Sequence, residues 1–573
     1  MKKLVSVLLA LTFVLSLAAC DTDSTSSDNP QSSSSNTSAA DPGTSVQPIL
    51  QANREVNVGI STDPVTWAPW GAYNVGRRDA MPYVYQTLTA AVPDIENGKT
   101  ITYFVLASGF ERIDSNTYEV YIREGIYDSA GNPFTASDAV FSYASAKAQG
   151  TLQQLNAISD LEVVDDYTFR IITGKALAVG DIEDLLTGFN MVTQAAYEAS
   201  PDGMATTPVG TTGYVLENYV SGSSFSFVKA DSYWNEAANE SKSIVDGYCY
   251  VWDCNVLDKI NFDVINDTVI MALALQNGDI DISTSVSFAD IPLFDEGGEY
   301  SDDFSVYDYP ENMYAISFNA GEQSVCQNYN LRMALALCVN SSDVLESAFS
   351  GVGSIMKAWA YPTYVDYQSV WDTQDYFEYD IDAAREYLEL FYKETGQTAN
   401  TLKLRLLTQS DGTMQKAAQT LQSFIISLVG NANCCELLSY DRATYNQMWL
   451  DPTAFDIMLL YTQSINRTYC TYGWNSYANA SKNVNGSDVF FDNSDELQSL
   501  VNDVISEDTH SDETVLAFQR YINEKAYLKN LCCGNIFIVG RSWISNLEKS
   551  VGPKGAIALC GLTYDWSQAT SGA

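Results

Sequence analysis

The stretch from Thr117 to Tyr143 constrains the fold of this chain more than any other part of the sequence. Apolar and polar side chains alternate from Tyr118 to Ile122, which is the pattern of a β-strand buried on one face. Gly131 to Pro133 predicts a turn, and Thr135 with Asp138 predicts a capping box that opens a helix. A strand, a turn and a capped helix in this order indicate an α/β protein.

The first twenty residues have the layout of a secretory signal peptide. Two lysines precede an apolar run from Leu4 to Ala19, and residues 17–20 read Leu-Ala-Ala-Cys. The run is shorter than the roughly 20 residues that a membrane-spanning helix needs. The tetrad resembles the lipobox of bacterial lipoproteins, which implies that Cys20 is lipidated and becomes the mature N-terminus. An ordinary cleavage site followed by a chance cysteine is the alternative.

The segment that follows, residues 21–52, is rich in Ser, Thr, Asp, Asn and Pro and includes the run Ser32 to Ser35. Such a composition buries too little apolar surface to offset the entropy of ordering the chain. We therefore expect a flexible tether between the lipidated Cys20 and a folded body. With the lipobox, this predicts a protein held at the extracellular face of the cell membrane, as in Gram-positive lipoproteins.

About 520 residues remain after the tether, a length that fits two or three packed domains. The formal net charge is −42, from 72 acidic and 30 basic residues. Binding to a phosphate backbone needs clustered Lys and Arg, so nucleic acid is excluded as a partner. The acidity is best interpreted as a solvated surface.

Eleven cysteines are present, and the doublets Cys434-Cys435 and Cys532-Cys533 stand out. None of the cysteines forms the C-x-x-C spacing that is typical of zinc sites. Export permits disulfides, and Cys249 with Cys254 is the nearest candidate pair outside the doublets. The sequence leaves open whether any of them is paired.

His510 is the only histidine of the chain and lies in a polar stretch. A Ser-His-Asp or Cys-His mechanism would have to use this residue, and the chain has no G-x-S-x-G elbow. It also has no G-x-x-x-x-G-K-[ST] phosphate loop. Paired carboxylates, as in glycosidases, are the enzymatic alternative that stays open. We expect a protein that is not an enzyme and has no cofactor and no metal.

Four further stretches follow the first in a recognisable order. Residues 162–172 predict a strand–turn–strand hairpin, and residues 208–234 contain P-V-G-T-T-G-Y and D-S-Y-W. Residues 257–282 combine a strand, a helix from Thr268 and the ending Q-N-G-D-I-D-I, in which Gly278 caps the helix. Residues 317–334 contain S-F-N and N-L-R-M-A, a strand and the start of a helix.

These five stretches together resemble bacterial extracellular solute-binding proteins of family 5, the oligopeptide- and dipeptide-binding group. The resemblance runs from about residue 56 to residue 390, with a short helix expected at Asp380 to Leu390, and is weaker beyond. The family commonly has His-Asp-Gly in its first turn, where this chain has Tyr127 to Gly131.

The resemblance implies a class II periplasmic-binding-protein-like α/β fold, with two lobes of mixed sheets and an extra third domain. It also implies a monomer that closes its lobes around a peptide or similar small organic solute and delivers it to the permease of an ABC importer. The domain ranges that follow from it are 53–89, 206–310 and 535–573 for lobe 1, 90–205 for the extra domain, and 311–534 for lobe 2.

The ligand is less well constrained than the fold. In peptide-binding relatives an aspartate after a strand holds the α-amine of the peptide, and the corresponding region here is Phe455 to Trp474. Gln463, Ser464 and Asn466 stand where that acid is expected, and after the strand no carboxylate follows until Asp488. A buried amine without a counter-ion is costly, so the peptide assignment is weakened.

Aromatic and amide side chains near the expected cleft are the candidate ligand-binding residues, and a core role for them is the alternative. They are Trp67, Trp70, Trp359, Tyr361, Gln463 and Trp474. Two other functions also stay open on the same fold: binding of a sugar or oligosaccharide, and a sensory receptor that signals to a partner.

Overall fold

A computed structural model describes residues 54–71, 74–94, 99–150, 153–236, 256–358, 360–373, 376–449, 451, 453–463, 494–552 and 555–569. None of the helices within these ranges combines the length and the apolar character that crossing a membrane requires. The signal peptide, the tether and Cys20 lie outside the described residues.

Strands and helices alternate along the described chain. The strands are β1 (Glu55–Ile60), β2 (Thr89–Asp94), β3 (Lys99–Phe104), β4 (Ala107–Arg112), β5 (Thr117–Ile122), β6 (Ile158–Asp165), β7 (Thr168–Thr173), β8 (Tyr214–Val220), β9 (Ser224–Lys229), β10 (Lys259–Val264), β11 (Ile282–Ser283), β12 (Phe304–Phe318), β13 (Gly353–Ile355), β14 (Leu404–Gln409), β15 (Cys435–Tyr440), β16 (Ile457–Gln463), β17 (Leu528–Arg541), β18 (Ile544–Ser545) and β19 (Thr563–Tyr564). The helices are α1 (Val75–Ala80), α2 (Ala136–Gln149), α3 (Asp181–Thr187), α4 (Gln194–Ala199), α5 (Thr268–Asn277), α6 (Ile291–Phe294), α7 (Tyr329–Leu337), α8 (Ser341–Phe349), α9 (Ile381–Thr395), α10 (Gly412–Val429), α11 (Arg442–Trp449), α12 (Asp495–Ile505) and α13 (Asp512–Glu524).

Several local predictions are confirmed. Thr135 and Asp138 form the capping box at the start of α2. Helix α5 runs from Thr268 to Asn277, and Gly278 ends it with a φ of 86°, a left-handed conformation that glycine adopts without steric cost. These signals are local, since each depends on residues within one or two helical turns.

An eleven-stranded mixed sheet runs through the molecule in the order β15-β14-β16-β12-β17-β11-β1-β10-β9-β8, with β13 paired to β17. We call the part built on β1 and β8 to β11 lobe 1, and the part built on β14 to β16 lobe 2. The long antiparallel strands β12 and β17 belong to both lobes and are the crossover strands. The fold is therefore of the class II periplasmic-binding type, with mixed sheets.

A separate four-stranded antiparallel sheet, in the order β4-β5-β7-β6, lies in the part of the chain predicted as an extra domain. Its inward side chains, such as Val120 and Phe169, share one buried cluster with Val58 of β1 and Phe227 of β9. The extra sheet thus packs on lobe 1. The predicted domain borders themselves stay predictions.

The core of lobe 2 has two layers, one on each face of its sheet. Leu406 and Leu459 are buried in one cluster, and their chain neighbours Leu407 and Leu460 are buried in the other. Successive side chains of a strand point to opposite faces, so strands buried on both faces are apolar without alternation. This explains the continuous run Ile457 to Leu460.

Candidate functional site

The carboxyl ends of the parallel strands of both lobes point towards the middle of the crossover strands. In lobe 1, β1 runs parallel to β10 and β11, and Ser283 at the end of β11 pairs with Val539 of β17. In lobe 2, β14 runs parallel to β16, and Gln463 at the end of β16 pairs with Asn312 of β12. In open α/β sheets, ligands bind in the crevice outside the carboxyl ends of the strands.

The crevice between these two strand edges is the candidate functional site. On the lobe 2 side, β14 leads into the N-terminus of the 18-residue helix α10, where the Asp411 carboxylate accepts a hydrogen bond of 2.8 Å from the Met414 amide. On the lobe 1 side, the Ser283 hydroxyl donates to the Gly59 carbonyl at 2.9 Å. The end of β11 is thus fixed by a hydrogen bond to β1, and the start of α10 by a local one.

A buried ionic cluster lies where the crossover strands pass between the lobes. Arg78 of α1 donates two hydrogen bonds, of 2.9 and 3.1 Å, to the carboxylate of Asp79. Its other terminal nitrogen lies 3.6 Å from a carboxylate oxygen of Glu311 on β12. The side chains of Arg78, Asp79 and Glu311 are 7, 0 and 3% exposed. One cation therefore serves two carboxyl groups in a site that excludes water.

Burial raises the pKa of Glu311 to about 7, because the charged form loses its hydration. The positive charge of Arg78 lowers the pKa of Glu311, whereas the negative charge of Asp79 raises it further. Burial also works to lower the pKa of Arg78, but Asp79 and Glu311 together raise it well above the usual value. The guanidinium thus stays charged, while the Glu311 carboxyl changes charge near neutral pH.

Tyr361 brings a segment of lobe 2 to the same place. Its hydroxyl donates a 2.5 Å hydrogen bond to the Glu311 carbonyl oxygen, and its ring is fully buried. Three residues on, the Tyr364 carbonyl accepts a 2.8 Å hydrogen bond from the Lys99 ammonium at the start of β3. The Thr100 amide donates to the Thr363 carbonyl at 2.9 Å. Strand β3 and the segment from Tyr361 to Tyr364 are thus in direct contact.

A second contact joins the extra sheet to the turn between α12 and α13. Arg112 of β4 lies 2.9 Å from the Glu507 carboxylate and 3.2 Å from that of Asp508. The Val179 amide donates to the Ile505 carbonyl at 2.9 Å. The two contacts together join the segments around Tyr364 and Glu507 to β3 and β4.

The six predicted ligand-binding residues do not lie together. Trp67 packs edge-on against Tyr219, Phe225 and Phe227, and Trp70 packs against Phe141 and Tyr197. Both indoles are buried in the lobe 1 core, which accounts for them without a ligand. Their part in ligand binding stays a prediction.

Of the other four, Tyr361 lies at the crossover strands and Gln463 ends β16 at the crevice. Trp359 and Trp474 lie outside the described residues, as do Ser464, Asn466 and Asp488. A ligand contact by any of these side chains therefore also stays a prediction.

Arg78, Asp79 and Glu311 were not predicted as site residues from the sequence. The one local signal for Glu311 is Pro310, since a proline within a strand-like run marks a bulge or an edge. The register of β12 on β17 indeed shifts between Pro310 and Asn312. Arg78 and Glu311 are far apart in sequence, so their pairing leaves no short motif.

The described cysteines lie in the apolar core. All seven of them are buried, including both doublets. Burial raises the pKa of Cys435 and of Cys533 to about 12. Cys249 and Cys254 lie outside the described residues. Within the described chain no group of three or more His, Cys, Asp or Glu side chains is placed to hold a metal ion.

Solved structures share this fold over nearly the whole chain. The ABC transporter substrate-binding protein CtaP from Listeria monocytogenes has a TM-score of 0.69 and 19% identity, covering 90% of this chain and 100% of its own. Among curated proteins, heme-binding protein A of Haemophilus influenzae is 24% identical over 417 residues, 67% of this chain and 68% of that protein. Oligopeptide-binding protein OppA of Bacillus subtilis is 24% identical over 390 residues, 64% of this chain and 68% of its own.

The family model of the bacterial extracellular solute-binding proteins, family 5 Middle, matches residues 102–430. This match spans more than half of the 573 residues and contains all five stretches that carried the resemblance in sequence. The chain therefore belongs to the bacterial extracellular solute-binding proteins of family 5.

Proposed function

We propose that this protein is the substrate-binding lipoprotein of an ABC importer, which captures a peptide or a similar small organic solute between its lobes. Family membership supports capture of a solute, and no chemistry on the ligand is required. Closure by the ligand is a population shift, because a ligand that contacts both lobes stabilises the closed arrangement.

The observation that carries the proposal is the pair of strand edges that face each other across the crossover strands. The ends of β11 and β16 meet the crossover strands at Val539 and Asn312, on either side of the bulge beside Pro310. A ligand placed between these edges would contact both lobes at once.

The lipid anchor is the second part of the proposal and is supported by sequence alone. The signal peptide, the lipobox ending at Cys20 and the polar tether stand in the order that an anchored protein needs. Anchoring would keep the binding domain beside its permease at a high local concentration. Incorporation of labelled palmitate by the wild-type chain, and its loss in C20A, is the expected result.

A peptide is supported as the ligand by the similar B. subtilis protein, which is named an oligopeptide-binding protein. Gln463, Ser464 and Asn466 stand after β16 where peptide-binding relatives have an aspartate that binds the α-amine of the peptide. The amine of a ligand would therefore be bound differently in this protein. We therefore propose that the chain takes a peptide-like solute without depending on a free α-amine. Trp67, Trp70, Trp359, Tyr361, Gln463 and Trp474 remain the proposed contacts.

Native mass spectrometry of the full chain, purified without denaturation, tests the ligand class through any co-purified molecule. Calorimetric titration with tetra-alanine and with its N-acetylated form then tests the amine. We expect a co-purified peptide-like solute and similar affinities for the two forms. A bound oligosaccharide would contradict the peptide proposal. Binding of the free-amine form alone would show that an acid outside the predicted position holds the amine.

A further inference from the structure

Helix α5 is apolar on its outer face as well as on its inner face. Met271 and Leu275 of the inner face are fully buried in the core of lobe 1. On the outer face Val269, Ile270 and Leu273 are 61, 55 and 47% exposed. A helix on the surface of a protein normally turns polar side chains outwards, and a helix that is apolar all round is normally buried all round. The outer face of α5 therefore has the composition of a covered surface.

Other exposed apolar side chains lie at the same end of lobe 1. Strands β1 and β10 end together at the crevice, and the turn between β8 and β9 lies beside them, since the Val264 amide donates to the Ser223 carbonyl at 2.8 Å. The loop after β1 exposes Val65, the start of α1 Val75 and the end of β8 Val220. With α5, this end of lobe 1 carries six of the fourteen exposed large apolar side chains of the described residues, so they form a patch and are not scattered singly. We call the six the apolar edge: Val65, Val75, Val220, Val269, Ile270 and Leu273.

The loop that presents Val65 is held in a strained conformation. Val65 is 68% exposed and has a φ of 67°, in the left-handed region that β-branched residues rarely adopt. The Asp63 carboxylate imposes this conformation, because it accepts hydrogen bonds from the Val65 amide, the Tyr219 hydroxyl and the Gly222 amide. Strain of this kind persists where the surroundings impose it and is concentrated at functional sites.

We infer that the apolar edge is the surface of lobe 1 that docks on the permease of the importer. Side chains that are half exposed project from the surface, whereas small solutes are bound in concave sites, so the patch fits a macromolecule. The permease is the macromolecule that must lie at this end of the lobe, because a solute that leaves the crevice has to enter it. The inference rests on the proposed function and adds the surface through which the protein meets its partner.

The charges beside the apolar edge favour a protein partner over a lipid surface or a second copy. Residues 61–66 and 264–279 contain Asp63, Asp267 and Asp279 but neither Lys nor Arg. Anionic lipids repel such an acidic rim, and so does the same rim of another copy of this chain. A permease surface in which apolar side chains are flanked by Lys or Arg is complementary to the edge both in polarity and in charge.

Photo-cross-linking of the full chain in the cells that produce it tests this contact. The photoreactive amino acid p-benzoylphenylalanine replaces Ile270 in one variant. In the matched control it replaces Val163, which is 46% exposed on β6 of the extra sheet. Mass spectrometry identifies the cross-linked product, and we expect a membrane-spanning subunit of an ABC importer from position 270 and not from position 163. Cross-links to a second copy or to lipid alone, equal cross-linking from both positions, or no cross-link would overturn the inference.

Two double variants separate docking from solute binding. I270E/L273E places charges in the apolar edge, and V163E/V164E places them on exposed apolar residues of the extra sheet. Purified I270E/L273E should bind the co-purified solute as wild type does, which also shows that it is folded. In cells it should lower uptake of that solute to the level of cells without the protein, whereas V163E/V164E should support normal uptake. Unchanged uptake with I270E/L273E, or equal loss with both variants, would overturn the inference while wild type still binds and delivers the solute, so its failure is distinct from failure of the proposed function.

Discussion

Lys529 offers a quantitative test of the energetics of lobe 2. It lies on β17, 3% exposed, and its ammonium donates to three carbonyl oxygens: Ala336 and Val339 at 2.7 Å and Phe377 at 2.8 Å. Ala336 is in the last turn of α7, where carbonyl groups have no partner within the helix. The ammonium thus ties the end of this helix and the Phe377 segment to the central sheet.

Burial lowers the pKa of Lys529 from 10.5 to about 8, with a smaller opposing effect from Cys338. Between these two values the unfolded chain holds a proton that the folded protein lacks. The free energy of unfolding of the wild type therefore rises with pH through this window. From pH 7 to pH 10 the gain amounts to about 2.5 kcal/mol.

The variant K529M keeps the length of the side chain but removes both the donors and the titration. We expect it to be less stable than wild type at pH 7, because three buried carbonyls lose their donor. The difference in the free energy of unfolding between wild type and K529M should be about 2.5 kcal/mol larger at pH 10 than at pH 7, because only the wild type gains stability between these pH values. Groups common to both proteins, including the tyrosines and thiols, cancel in this difference.

Urea unfolding followed by far-ultraviolet circular dichroism at pH 7 and pH 10 measures the two free energies. K416M, which changes an exposed lysine of α10, is the control and should stay within about 0.5 kcal/mol of wild type. A K529M penalty that is the same at both pH values would refute the reasoning, as would a variant more stable than wild type at pH 7.

Three further outcomes are expected. D456N should lower the free energy of unfolding of lobe 2 by about 2–4 kcal/mol in urea titrations, because the buried Asp456 carboxylate accepts three hydrogen bonds from Arg405. The control D451N changes an exposed carboxylate and should change this free energy little. The seven described thiols should react with iodoacetamide only after unfolding, as read by peptide mass spectrometry, and labelling of the native protein would contradict their burial. R112Q should speed hydrogen exchange of the Val179 amide, which is bonded to the Ile505 carbonyl; unchanged exchange would show that the ion pair does not hold this contact.

Local elements were the part of the fold that the sequence predicted well. The alternation from Tyr118 to Ile122 became β5, and Thr135 with Asp138 became the capping box of α2. Gly278 ends α5 where the spacing predicts it. Each of these signals depends on hydrogen bonds or side-chain spacing within a few residues. It can therefore be recognised from the sequence without the tertiary structure.

The candidate site was predicted less well, for a physical reason. Aromatic content does not distinguish a cleft from a core, because the same rings fill both. Trp67 and Trp70 are accordingly explained by packing in lobe 1. Tyr361 does lie at the crossover strands, but the carbonyl to which it donates, that of Glu311, is not a feature that composition can reveal.

The sequence by itself indicated the family and the secondary structure of its motifs. It also predicts an exported, tethered protein that does not bind nucleic acid. Only the tertiary structure decided which strand edges face each other across the crossover strands. It alone also brought Arg78, Asp79 and Glu311 into one buried cluster. The reason is that burial and charge pairing between distant segments depend on how the sheets pack, whereas caps, turns and alternation are set by neighbouring residues.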